Sequence, residues 1–302
     1  MNEKDAAWPH LNYDEFKSTA HLLHMGVQII GKFKLYTPFE PHWANVALWL
    51  TAKGITTGLI PYQSGAFSIE VDLNNHLILV TSSFGTERQF PLTSMSVAEF
   101  ETKILMILKD LNIDLHINSM PQEIPNPIPF NEDTEIREYN SVLANAWWRI
   151  LLSSYKVMKL YHARFDGETP PIGLMWGTFD LRDARYNGMP VPTTGVNAGY
   201  IRRNAMDEAQ VEIGFWHGNE MYPRPAYYSF TYPQPDAIES ATIQPQAARW
   251  DAKLTEFVLD YEAIEKSNQP EEDLLNFFES TYHAGTQLAQ WDPTLIKKGE
   301  PS

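Results

Sequence analysis

Four prolines between residues 121 and 129 (Pro121, Pro125, Pro127 and Pro129) constrain this chain more than any other local feature. Proline fixes φ and lacks a backbone N–H, so this stretch can be neither helix interior nor central strand. It reads as an extended, polyproline-like crossing. The chain divides around it into a half over 1–120, a proline-rich acidic crossing over 121–139, and a half over 140–302, expected to pack as one compact unit.

Both halves show the same order of local signals. Asn12 or Asp14 can cap a helix running to about Tyr36, where Pro38 and Pro41 stop it. Runs rich in β-branched and aromatic residues follow at 43–51, 67–73, 76–81 and 88–92, with a hairpin turn at Asp72-Leu73-Asn74-Asn75. Ser96 then caps a helix whose Val97, Phe100, Ile104, Leu108 and Leu111 keep helical spacing, with Glu99 completing a capping box. Residues 114–118 read as a short strand. In the second half a helix is expected over about 140–164 and strands over 173–181, 210–216 and 225–232. Helices follow over 250–264 and 271–289, and 183–208 reads as a polar loop. These patterns predict an α+β fold of two sequential helix–strands–helix halves with mainly antiparallel sheet. Trp49-x-Thr51 and Trp176-x-Thr178 fall at equivalent places, which raises an internal duplication; helix–strand–helix order also recurs without one in mixed folds.

Composition narrows the partners. The formal net charge is −15 and no basic block occurs, which argues against nucleic acid and against an anionic membrane surface. The absence of cysteine excludes disulfides, thiolate nucleophiles and thiolate-bound metal or iron–sulfur centres. No apolar stretch approaches the roughly 18 residues of a membrane span, and the mixed, acidic start lacks the order of a signal peptide. A cytoplasmic location is the expectation.

Candidate chemistry concentrates at a few places. His24, Gln28 and Lys32 stack along one face of the first helix, among neighbours apolar on nearly every side. A buried polar stripe of this kind either lines a ligand site or forms a structural network with the Glu123 or Glu132/Asp133 segment. His42 precedes the first strand. Trp49, Trp176, Asp180 and Trp216 lie on strand candidates, where aromatics flanking a carboxylate suit a planar ligand. The ligand-binding candidates are thus His24, Gln28, Lys32, His42, Trp49, Glu123, Asp133, Trp176, Asp180 and Trp216. No phosphate-binding loop, nucleophile elbow or metal-ligand spacing is present, so no cofactor, metal or catalytic residue is assigned.

Several segments together resemble a known bacterial family of unknown function, the domain-of-unknown-function family 5996. They include Gln28-Ile29-Ile30-Gly31-Lys32, His42-Trp43, Ile60-Pro61-Tyr62, residues 123–130 with Glu132-Asp133-Thr134, Trp176-Gly177 with Phe179-Asp180-Leu181, Gly214-Phe215-Trp216, and Trp291-Asp292. The resemblance implies a single full-length unit and carries no reaction with it. Two functions remain in view: a small-molecule pocket lined by the polar stripe and the tryptophans, with or without catalysis, or a non-catalytic interaction protein with a buried polar network.

Overall fold

Helix α1 spans Tyr13–Lys32 because Asn12 caps it, accepting from the amides of Asp14 and Glu15, and because its apolar residues are buried almost all round. The structure, a computed structural model, describes residues 7–193 and 200–296. A 3-10 turn over Phe33–Tyr36 continues α1. The first sheet follows: β1 (Trp49–Leu50), β2 (Gly54–Thr56), β3 (Ile60–Tyr62), β4 (Gly65–Asp72), β5 (Leu77–Ser82) and β6 (Glu87–Pro91). Its order is β1-β2-β4-β5-β6, all antiparallel, with β3 also paired to β4. Helix α2 (Val97–Asp110), capped by Ser96, sets Phe100 edge-on to Phe90 of β6.

After the crossing, α3 (Ser141–His162) starts at the Asn140 cap. The second sheet comprises β7 (Gly173–Met175), β8 (Asp180–Pro190), β9 (Glu208–Trp216), β10 (Ala226–Tyr232), β11 (Arg249–Asp251) and β12 (Glu256–Asp260), in antiparallel order β11-β12-β10-β9-β8-β7. The short helices α4 (Tyr200–Ala205) and α5 (Tyr261–Glu265) and the long α6 (Pro270–Leu288) complete the elements. Leu48 and Leu174 exchange two backbone hydrogen bonds of 2.9 and 2.8 Å, joining the leading edges of the two sheets. One cluster of buried apolar residues runs through both halves, from Leu11 to Tyr282.

Several local expectations give way. The expected strand over 173–181 is a hairpin: residues 176–179 form a turn, with Phe179 at φ 61°, so Leu174, Trp176, Thr178 and Asp180 do not share one strand face. The expected loop over 183–208 begins instead as the long strand β8. Its alternation is hidden because both of its faces are buried and both carry charge; residues 194–199 of that stretch lie outside the described residues. The expected helix over 250–264 is the β11–β12 hairpin followed by one helical turn. Asp251 sets that hairpin by accepting from the amides of Lys253 and Leu254, and Thr255 takes a positive φ of 58°. Residues 114–118 form no strand, and 43–51 is mostly a 3-10 segment over Pro41–Val46 ahead of β1.

The second sheet has two different faces. Leu181, Val211, Ile213, Phe215, Tyr227 and Leu259 point one way and are buried. There Tyr227 meets Phe278 of α6 at 6.0 Å and bonds to Ser154 of α3 at 2.8 Å. The other face is polar.

Candidate functional site

Strand alternation and register determine what that polar face carries. Asp180, Arg182 and Tyr186 of β8 lie beside Gln210, Glu212 and Trp216 of β9 and Tyr228 of β10, with Arg182 and Tyr228 both paired to Gly214. Trp43 and Val46, Gln122 and Glu123, residues 175–178, and Ala205 with Met206 stand around it. They leave a cleft of about 140 Å³, partly open to solvent.

Asp180 accepts from the hydroxyls of Thr178 and Tyr228. Tyr228 reaches it only because its partner in register is glycine: a Cβ on Gly214 would lie 2.4 Å from the tyrosine oxygen. Arg182 donates to Oε2 of Glu212 at 3.1 Å. Burial raises the carboxyls. Asp180 is pushed above the usual range, and Glu212 rises to about 7 although Arg182 pulls it back. Glu256, on neighbouring β12, rises to about 8 through burial and the charges of Glu212 and Asp180. Burial opposes the charge on Arg182, but Glu212, Tyr186 and Tyr228 together more than offset it and hold the guanidinium cationic. Arg182 is the one cation among the described residues that line the cleft.

Glu123 completes the cleft from the crossing segment. Its backbone has a positive φ of 57°, uncommon for a residue with a side chain and frequent at functional sites. Glu123 as a residue is exposed, but its carboxyl is enclosed against Gly177; that enclosure first, then the charges of Asp180 and Glu212, raises the carboxyl to about 7. The carboxyl packs onto Gly177 so closely that a Cβ there would lie 2.1 Å from Oε2.

The family model for a family of unknown function, DUF5996, matches residues 8–298. The chain belongs to that family. No curated protein and no solved structure matches it. No described helix of this DUF5996 chain is long and apolar enough to cross a membrane.

The DUF5996 chain distributes its ten sequence candidates unevenly. Glu123, Trp176 and Asp180 line the cleft, although the Trp176 indole is buried and donates to the Val46 carbonyl at 3.0 Å. The helix stripe stands behind the cleft and holds its wall. His24 donates to the Gly177 carbonyl at 2.8 Å and stacks on Phe179. Burial lowers its pKa to about 4, so it is neutral near pH 7. Gln28 donates to the Gln122 carbonyl and accepts from the Gln122 amide, both at 2.8 Å. Lys32 donates to the Met120 carbonyl at 2.9 Å, and burial brings it down to about 8.

The remaining four lie outside the cleft lining. His42 stacks on Tyr186 with ring centroids 3.5 Å apart. Trp49 lies 4.9 Å below the Lys34 ammonium. Asp133 pairs with Arg137 at 3.3 Å. Trp216 stands opposite Asp180 in register but packs on Tyr222, 5.3 Å away.

Arg182, Glu212 and Tyr228 were invisible as site residues in the sequence. The available signal was the polar alternation Asp180-x-Arg182 and Gln210-x-Glu212, inside segments that otherwise read as buried strand or loop.

Proposed function

We propose that the cleft binds a small molecule rich in N–H or O–H groups, an amine or a polyol, and that Glu123 exchanges a proton with it. One observation carries this reading: the charges of Asp180 and Glu212 raise both Glu123 and Glu256, while the one cation among the described cleft residues, Arg182, is paired with Glu212. Buried carboxylates must be paired, or they keep their protons. Four acids against one guanidinium disfavour an anion, and each carboxyl, protonated or not, offers an acceptor oxygen to a ligand that donates. The faces of Trp43 and Phe230 supply apolar lining. Glu123 stands at the mouth with a pKa near neutrality, the condition under which a carboxyl both gives and takes a proton efficiently.

The competing role, a buried network without chemistry, fits the helix stripe. His24, Gln28 and Lys32 spend their hydrogen bonds on backbone carbonyls and an amide. It does not account for Glu123, which has no such partner among the described residues and lines the cleft.

The test is a thermal-shift and calorimetric panel of polyamines, neutral sugars and dicarboxylates. Amines or sugars should stabilise the wild type, and Glu123→Gln should weaken that effect. Stabilisation by dicarboxylates alone would reject the proposal.

A further inference from the structure

A second polar constellation lies farther along the same sheet face, past Tyr186. His42 is 6% exposed, yet among the described residues neither of its ring nitrogens makes a hydrogen bond. Its Nε2 faces two carboxylates, Oε1 of Glu168 at 3.2 Å and Oε2 of Glu208 at 3.9 Å. One ligand atom from each of the three residues lies within 4.8 Å of the others. None of the three lines the cleft.

We propose that His42, Glu168 and Glu208 bind one divalent transition-metal ion of the Zn²⁺ or Mn²⁺ type. Ligand atoms about 2.0–2.2 Å from a common ion stand roughly 3–4 Å apart, close to the spacing found here. A neutral imidazole beside two carboxylates suits such ions better than Mg²⁺ or Ca²⁺, which prefer all-oxygen surroundings.

The fold presents the three groups from separate elements. His42 comes from the 3-10 segment, where both it and Trp43 have a positive φ of 57°. The Tyr186 ring lies against the imidazole at an interplanar angle of 12° and sets its plane. Asp207 Oδ1 is 4.0 Å from Nδ1, a carboxylate on the side of the ring away from the ion, as histidine ligands commonly have. Glu168 is tied to β8 through the bond from the Tyr186 amide to its carbonyl, 2.9 Å. Glu208 accepts from the Gly188 amide through Oε1, which leaves Oε2 free to coordinate. The Glu168 side chain is 54% exposed, so the ion would keep an open side for water or a ligand.

The experiment uses the full chain stripped with a chelator and titrated with ZnCl₂ and MnCl₂ by calorimetry and native mass spectrometry. One ion per chain is expected. Glu168→Gln/Glu208→Gln keeps the side-chain size and should weaken binding by about tenfold or more, with the melting temperature of the metal-free protein unchanged. Co²⁺ bound to the wild type should give a visible spectrum that changes in His42→Asn, a residue that tolerates positive φ. Absence of stoichiometric binding by the wild type, or equal binding by the double variant, overturns the site.

Discussion

The Tyr228 hydroxyl donates its one hydrogen to Asp180, yet Oε1 of Glu212 lies 3.1 Å from the same tyrosine oxygen. The tyrosine has one hydrogen for two acceptors, so both contacts are full hydrogen bonds only when one of the two carboxyls carries a proton. The pKa of Glu212, raised to about 7, agrees with this geometry. Asp180, which accepts from two hydroxyls, is the better-satisfied charge of the pair. The cleft wall thus holds a proton that can be shared or displaced near neutral pH.

Arg182→Gln removes the cation that pairs with Glu212. Breaking a buried pair from one side typically costs about 3–5 kcal/mol. Denaturant unfolding at pH 8 should show a loss in that range, shrinking at pH 5.5 where Glu212 is protonated and needs no partner. An equal loss at both pH values would contradict the pairing.

Gln28→Ala strips partners from the Gln122 carbonyl and amide. Each orphaned backbone group costs about 1–3 kcal/mol, so a total near 3 kcal/mol is expected. Because the same bonds hold the backbone next to Glu123, ligand affinity should fall as well. Unchanged stability in urea titration would mean that the crossing segment does not depend on this clamp.

Gly177→Ala tests the placement of Glu123 directly. The new methyl would lie 2.1 Å from Oε2, well inside contact distance, so the carboxyl must shift away from Gly177. The Glu123 pKa, followed by NMR titration, should drop from about 7 toward the ordinary glutamate range as burial is relieved. A titration midpoint that stays near 7 would show that the carboxyl does not sit on Gly177.

Stability should fall as pH rises from about 6.5 to 7.5, below the range in which Lys32 and Lys34, lowered to about 8 by burial, lose their protons and oppose the trend. Glu123, Glu212 and Glu256 have folded pKa values raised to about 7, 7 and 8. The native state therefore binds more protons than the unfolded chain in this window, and the stability these groups contribute is lost as they ionise. His24 and His217 act oppositely. Burial lowers them to about 4 and about 3, so their contribution is present above about 6.5 and is lost as pH falls through those values. Melting temperatures should decline between about pH 6.5 and 7.5, and Glu256→Gln should flatten the decline. A flat or rising wild-type profile over that window would exclude protonated acids on this face.

What the sequence determined by itself was local. Asn12, Ser96 and Asn140 each accept from an amide two or three residues ahead, and those bonds start three of the helices. The prolines of residues 121–129 exclude regular structure within their own stretch. The buried stripe His24–Gln28–Lys32 was legible from its four-residue spacing.

The partners of that stripe were not legible, because they are backbone carbonyls of Gly177, Gln122 and Met120, far along the chain, and a carbonyl carries no residue-specific signal. Residues 250–264 misled because apolar spacing over so short a run fits helix and hairpin alike, and the Asp251 turn decided it. Only the tertiary structure brought Glu123, Asp180, Arg182, Glu212 and Tyr228 to one cleft, and His42, Glu168 and Glu208 to another site. Caps and periodicity act over a few residues. Convergence at a site depends on strand register and on how a distant segment crosses the sheet, and these are settled by packing across the whole chain.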